Sequence, residues 1–241
     1  MARPHAIGII PARFGSTRLP GKPLAPIAGQ PMVWHVVERA RKASRLDRVL
    51  VATDDARIRD AVLERGGEAV MTAPSHASGT DRAAEVARTI EGDVVVNIQG
   101  DEPLVEPASL DRLVDALRER PELPLATLRR PAAPGELEDP DVVKVVSDAR
   151  GTAMYFSRAP IPYPRRSGGR AWVHVGIYAF RRERLLEFAA MEPSALERAE
   201  GLEQLRALEA GWEIRVLDDA AVSLGVDTPA DLERARELME R

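Results

Sequence analysis

The 241-residue sequence contains no cysteine, which removes disulfides, thiolate nucleophiles and zinc–thiolate sites together and suits a reducing compartment. Its four histidines are scattered and do not replace them. Lysine is nearly absent too: of 34 basic residues only Lys22, Lys42 and Lys144 are lysine, so each becomes a position to account for. No excess of one charge exists, since 34 basic against 38 acidic residues leave −4, and there is no overall cationic field to draw the chain onto nucleic acid or anionic lipid. Neither nucleic acid nor membrane is therefore expected as a partner. No apolar run approaches the ~18 residues of a membrane span. The stretch Met1 to Arg13 is broken by Pro4, Pro11 and Arg13 and does not read as a leader, so the expectation is a soluble, cytoplasmic protein. What is present, 44% apolar and 30% charged residues, is enough for a sizeable core.

Short β-rich runs alternate with helix-period segments, the pattern of βαβ units around a mostly parallel sheet with helices on both faces. Strands are expected at Ala6 to Ala12, Arg48 to Thr53, Glu68 to Met71 and Val94 to Ile98, the last an apolar run with Asn97 its one polar residue, as in a strand buried on both faces. Helices are expected from Pro31, over Ala56 to Arg65 before Gly66-Gly67, over Asp81 to Ile90 and from Pro107. Beyond the strand Leu125 to Arg130, the region 131–180 reads as a β-rich part of one domain spanning 1–241. Within it Val142 to Ser147 and Thr152 to Ser157 pair across Gly151. In Trp172 to Phe180, Val173, Val175, Ile177 and Ala179 are expected on a core face, with Trp172, His174, Gly176, Tyr178 and Phe180 on an aromatic, polar-tipped one. Two helices follow, Arg181 to Met191 and Leu196 to Ala210, then strands at Glu213 to Leu217 and Ser223 to Val226 and a helix from Pro229.

The loop from Pro11 to Lys22 joins the first strand to the first helix, where open α/β sheets bind ligands. Its glycines admit close backbone approach, and Arg13, Arg18 and Lys22 set three cations against a triphosphate. It is not a Walker loop, because Gly15 and Gly21 enclose five residues and Pro23 stands where a Ser or Thr would bind magnesium. Asp101, just beyond the buried run Val94 to Ile98, is placed to hold Mg²⁺. Asp227, in Gly225-Val226-Asp227-Thr228-Pro229, is a second candidate ligand 126 residues later, because Thr228 and Asp231 are taken by helix capping.

Other positions keep two readings. Thr80 or Asp81 caps the helix that follows His76-Ala77-Ser78-Gly79, or Ser78 and the backbone around Gly79 read a base edge. His174 and Tyr178 share a strand face and line a pocket or serve the core. Glu203 and Gln204 are helix surface, and Arg158 a surface cation or a carboxylate fork.

In order along the chain, several segments resemble one family, the 3-deoxy-manno-octulosonate (Kdo) cytidylyltransferases or CMP-Kdo synthetases. They are Ile9-Ile10-Pro11-Ala12-Arg13, Gly15-Ser16-Thr17-Arg18, Thr53-Asp54-Asp55, His76 to Arg82, Asn97 to Pro103, Val142 to Val146, Tyr155 to Pro162, His174 to Tyr178, Leu202 to Arg206 and Gly225 to Pro229. Phe14, where Tyr is common, and Asp139-Pro140-Asp141 depart from the family pattern without touching a proposed ligand contact. The resemblance implies a nucleotide-diphospho-sugar-transferase-like α/β fold, a β-rich part for sugar acid and dimer contacts, and a homodimer. It implies CMP transfer from CTP to Kdo, for lipopolysaccharide synthesis, with Mg²⁺ on Asp101 and Asp227. Arg13, Gly15, Ser16, Arg18 and Lys22 would hold the triphosphate, with Ser78 and Arg82 also on CTP. Gln99, Arg158, His174, Tyr178, Glu203 and Gln204 would line the sugar-acid pocket. A transferase for sialic acid or 8-amino-Kdo, or a non-catalytic nucleotide-binding protein, are the alternatives.

Overall fold

A computed structural model describes residues 5–15, 19–165, 170–219 and 224–240. The first half runs β1 (Ala6–Ala12), a short 3-10 turn (Lys22–Leu24), β2 (Pro26–Ile27), β3 (Gln30–Pro31), α1 (Met32–Ala40), β4 (Arg48–Thr53), α2 (Ala56–Leu63), β5 (Ala69–Met71), α3 (Gly79–Thr89), β6 (Val94–Asn97) and α4 (Pro107–Glu119). The second half adds β7 (Leu125–Pro131), β8 (Lys144–Ser147), β9 (Ala153–Ser157), β10 (Trp172–Arg181), α5 (Arg182–Ala190), α6 (Ala195–Glu200), α7 (Gln204–Glu209), β11 (Ile214–Asp218) and α8 (Pro229–Met239).

The main sheet has the order β11-β7-β10-β6-β1-β4-β5. Its pairs are parallel from β6 through β5 and between β7 and β11, while β10 runs against both β6 and β7. β6 is central because Val94, Val95 and Val96 are fully buried and serve both faces. One face packs α1, α2 and α4 against Ile10, Val51, Val94 and Val96; the other packs α3, α5 and α7 against Ile7, Ile9, Leu50 and Val95. In α4, Pro107 fits the first turn, and Leu110, Leu113, Val114 and Leu117 repeat at helical spacing with no exposure. At about 1.5–3 kcal/mol for each such side chain, burial rather than propensity holds this helix.

A third, smaller core matters for the site: Ile27 and Met32 meet Val226, Leu232 and Ala235, so α8 docks on the β2–β3 hairpin. Arg236 adds hydrogen bonds to the Pro26 carbonyl oxygen at 2.8 and 3.0 Å. The hairpin turn holds Ala28 at φ +44° and Gly29 at φ +77°; the left-handed region suits Gly but strains Ala through its Cβ.

The structure departs from the sequence expectations at four places. The span Leu196 to Ala210 is two helices, broken where Gly201 takes φ +64° as the C-cap of α6. Residues Leu224 to Val226 form no strand, and Ser223 lies outside the described residues. The second face of β10 is core as well: Tyr178 and Phe180 are buried in the second cluster, and His174, Tyr178, Phe180, Phe188 and Trp212 form a chain of neighbouring rings. The β10–β7 register shifts between Val175 and Tyr178, yet the alternation holds, with Val175, Ile177 and Ala179 in one core and Tyr178 and Phe180 in the other. Finally, Ser78 rather than Thr80 or Asp81 is the N-cap of α3: its hydroxyl accepts from Asp81 N at 3.1 Å and Asp81 Oδ2 accepts from Ser78 N at 3.2 Å.

Candidate active site

At the carboxyl ends of β1 and β6, four loops line a cavity of about 270 Å³. Its wall includes Arg13, Lys22, Pro23, His76, Ser78, Gly79, Arg82, Gln99, Asp101 and Asp227. The loops approach closely: a Cβ on Gly100 would stand 2.7 Å from the Pro11 carbonyl oxygen, so only glycine lets the β6 loop cross the end of β1. The loop that begins at Arg13 is closed on itself where Gly21 N donates to Phe14 O at 3.3 Å. Phe14 is in turn covered by the Arg57 guanidinium, 3.4 Å from its ring centre.

Asp101 and Asp227 meet on one cation. Lys22 Nζ donates to Asp101 Oδ2 at 2.5 Å and to Asp227 Oδ1 at 2.9 Å. Burial opposes the Lys22 charge, but the two carboxylates outweigh it and hold its pKa above the ordinary lysine value. The approach of Asp227 follows from local bonds. Val226 N donates to Asp101 O at 2.9 Å, tying the two loops together, and Asp227 N and Thr228 N donate to Asp231 Oδ2 within the capping box of α8.

The donor set suits magnesium. Two carboxylate oxygens converge at a cavity edge where a triphosphate has room, and Mg²⁺ commonly takes one or two carboxylates and completes its shell with phosphate and water. Among the described residues no group of three or more acidic or histidine side chains gathers as a self-sufficient metal cage.

The residues expected on CTP divide. Arg13, Lys22, Ser78 and Arg82 border the cavity, Gly15 is exposed and outside its wall, and Ser16 and Arg18 lie outside the described residues. Arg82 is 3% exposed and already engaged: it donates to Asp54 Oδ2 at 2.7 Å and to the Thr72 hydroxyl, so its first effect is to brace the wall. His76 had no assigned role although it stands inside a quoted motif. It borders the cavity with its Nε2 bonded to Glu85, and that bond, with the Ala73 amide, holds the Glu85 carboxyl below the usual range.

The residues expected on the sugar acid gather mostly under α3 and α7, beside the cavity. Gln99 belongs to both regions: it borders the cavity and its Nε2 donates to Gly176 O at 3.1 Å. His174 packs edge-on to Phe156 at 4.9 Å and beside Tyr178 at 5.3 Å. Desolvation by these neighbours pushes its pKa down to about 3, so it is neutral. The Thr127 hydroxyl proton has the Val175 and Ile177 carbonyls as acceptors, at 3.2 and 2.8 Å. His174 Nε2 therefore carries the ring hydrogen and donates to Thr127 Oγ1 at 2.9 Å, leaving Nδ1 as an acceptor. Burial raises the pKa of Tyr178, and Glu203 nearby adds to the effect.

Glu203 and Gln204 are not helix surface. Glu203 caps α7 and bonds the Thr80 hydroxyl, and Gln204 is 4% exposed. Arg158 is apart from the cavity wall: Nε donates to Glu200 O at 2.8 Å and one terminal nitrogen to Pro140 O at 2.9 Å. Lys144 works beside it. Fully buried, it donates to Asp139 O at 2.7 Å and Val142 O at 2.6 Å, so the two cations together clasp the 139–142 loop.

A family model described as cytidylyltransferase matches residues 7–214. A relative from Anaeromyxobacter dehalogenans (strain 2CP-C), named 3-deoxy-manno-octulosonate cytidylyltransferase, is 55% identical over 240 residues, covering 98% of each chain. One of the same name from Escherichia coli is 49% identical over 235 residues, 97% of this chain and 96% of its own. A solved structure of a CMP:2-keto-3-deoxy-manno-octonic acid synthetase complexed with CTP superposes with a TM-score of 0.94 at 48% identity, covering 98% of both chains. Matched over 98% of its length at 55% identity by a relative of that name, and over the same share by a solved synthetase with a TM-score of 0.94, the chain belongs to the 3-deoxy-manno-octulosonate cytidylyltransferase family.

Proposed function

We propose that the protein transfers CMP from CTP to the anomeric 2-hydroxyl of Kdo, releasing pyrophosphate, and that it works with Mg²⁺ as a cytoplasmic homodimer feeding lipopolysaccharide synthesis. The observation that carries this reading is the meeting of Lys22, Asp101 and Asp227, from three separate loops, on one cavity at the sheet's carboxyl end. The likeness to the CTP-complexed synthetase supports it.

The chemistry has two obstacles: a sugar hydroxyl is a weak nucleophile, and the α-phosphate repels it. In the reaction the hydroxyl oxygen bonds to the α-phosphorus, and the bond from that phosphorus to the bridging oxygen breaks. The electron pair leaves on pyrophosphate and the hydroxyl proton goes to water. Asp101 and Asp227 would hold Mg²⁺, which when bound offsets phosphate charge and favours the ionised sugar hydroxyl. Lys22 places a compact ammonium beside both carboxylates, and Arg13 a planar cation on the same wall, where developing charge on the leaving group needs donors. His174 Nδ1, Gln99 and Glu203 offer acceptors and donors suited to a polyhydroxylated acid, and Arg158 a cation for its carboxylate. No residue need form a covalent intermediate. The region 131–180, with Met154 of β9 65% exposed and Tyr163 beyond it 82% exposed, offers apolar side chains to a second copy.

The test is pyrophosphate release from CTP and Mg²⁺ with Kdo, 8-amino-Kdo and sialic acid, with ATP, GTP and UTP in parallel. Release with CTP and Kdo is expected; preference for another acid would move the specificity. CTP binding without release for any acid would leave a non-catalytic nucleotide-binding protein. Sedimentation at working concentration tests the dimer.

A further inference from the structure

Three polar side chains from distant parts of the chain form a relay beneath the candidate sugar-acid pocket. Asn97, at the end of β6 and opposite Tyr178 of β10, is fully buried. Its Nδ2 donates to Thr80 Oγ1 at 3.1 Å. Thr80, in the first turn of α3 and 1% exposed, donates to Glu203 Oε1, 123 positions away. Ser78, on the cavity wall, gives Glu203 a second hydroxyl donor.

The direction of this relay follows from counting protons. A hydroxyl has one hydrogen and can accept through its lone pairs. With an Asn97 amide hydrogen on the Thr80 oxygen, the single Thr80 hydrogen is committed to Glu203. Turning the Asn97 amide over would present Oδ1 to Thr80, take that hydrogen away, and require Glu203 to be protonated to complete the chain. The observed arrangement leaves Asn97 Oδ1 buried with no donor among the described residues. An unsatisfied buried carbonyl opposes folding, so its presence asks for a compensating role.

We propose that Thr80 and Asn97 are positioning residues that aim the Glu203 carboxylate at the sugar acid. The inference rests on Glu203 belonging to the acceptor's pocket. Two hydroxyls hold the carboxylate from the α3 side, so its remaining lone pairs are available to sugar hydroxyls and its rotation is restricted. Burial raises the Glu203 pKa, and the hydroxyl bonds from Thr80 and Ser78 oppose that rise. Neither Thr80 nor Asn97 borders the nucleotide cavity, so the effect should fall on the sugar acid and not on CTP.

The experiment is steady-state kinetics on the full chain with Kdo and CTP varied separately. Thr80→Val keeps the shape and removes the hydroxyl; it should raise the KM for Kdo about tenfold or more and leave the KM for CTP within about twofold, the size set by losing one hydrogen bond to a charged group. Thr80→Ser should restore the parent value. On a Glu203→Gln background, Thr80→Val should add little, because the relay then has no carboxylate to aim. Should Thr80→Val fail to fold, Thr80→Ala makes the same comparison. An unchanged KM for Kdo, an equal rise for CTP, or a full additional loss on the Glu203→Gln background overturns the proposal. If the parent protein itself releases no pyrophosphate with any acid, the assigned reaction falls instead, and the two failures are distinguishable.

Discussion

Lys22 Nζ sits 2.5 Å from Asp101 Oδ2 across 79 positions of sequence, and the same ammonium reaches Asp227 Oδ1 at 2.9 Å across 205. One largely buried cation thus holds together two carboxylates that would otherwise repel each other. Asp101→Asn and Asp227→Asn keep size and hydrogen-bonding capacity, so both variants should fold with unchanged circular dichroism. Turnover should fall about 100-fold or more if the carboxylates serve a metal. Pyrophosphate release measures it, and near-normal turnover in either variant removes that residue from the metal site. Chelation with EDTA should stop the reaction and added Mg²⁺ restore it.

Lys22→Arg should not substitute. The side chain is 14% exposed and its point charge contacts two separate carboxylates, a geometry unsuited to the flat guanidinium fork. A loss of turnover of about 100-fold is expected, with the fold retained. The pH dependence has a definite sign. The folded pKa of Lys22 is raised, so its ion pairs contribute fully below the ordinary lysine pKa of 10.5, and that contribution is lost as pH rises through the folded value. Chemical denaturation of Lys22→Met against parent should show a stability difference at pH 8 that narrows only in strongly alkaline solution.

His174 acts at the other end of the scale. Its folded pKa, near 3, lies below the ordinary value of 6.5, so between these values the unfolded chain binds the extra proton and stability falls as pH falls. His174→Gln, which cannot take up that proton, should lose less stability than the parent between pH 6.5 and 4. Equal acid sensitivity in both would mean the ring is not held neutral.

Two backbone features give stability predictions. Ala28 occupies the left-handed region at φ +44°, and Ala28→Gly should stabilise the protein by about 1 kcal/mol, read as a rise in Tm. Thr228 caps α8 by accepting from Asp231 N at 3.2 Å, and Thr228→Ala should cost about 1 kcal/mol. Because the same cap orients Asp227, this variant should also lose turnover, whereas Ala28→Gly should not. Thermal melts and pyrophosphate release on both proteins separate the two effects.

Much of this was legible because local patterns agreed with the fold. β1 and β6 read as strands from short β-rich runs, and Pro107 and Pro229 fit the first turns of the helices they open. The misses share a cause. Helical spacing passes through Gly201, so one long helix was expected; the left-handed turn there is what delivers Glu203 to Thr80. Leu224 and Val226 alternate like a strand, yet Val226 makes a loop-to-loop bond to Asp101, a partner that local pattern does not specify. His174 and Tyr178 read as a polar-tipped face, but the depth of His174 depends on Phe156 arriving from β9. Asn97 lies inside a motif with no role attached and Thr80 reads only as a helix cap, because the proton count that links them to Glu203 exists only once three elements meet. Lys144 stood out by rarity alone; its two carbonyl partners explain it as a clasp on the 139–142 loop.

The bond from Val226 N to Asp101 O, with α8 docked on the β2–β3 hairpin, also has a consequence in time. Synthesis proceeds from the amino end, so Lys22 and Asp101 leave the ribosome long before Asp227. A nascent chain that has buried β1 and β6 still has only one of the two carboxylates. The second arrives with residues 224–240, which dock against a hairpin made some 200 residues earlier. With Asp227 in the role proposed for it, turnover waits until residues 224–240 have been made and docked, and a ribosome-stalled chain lacking them would carry the sheet without the second carboxylate.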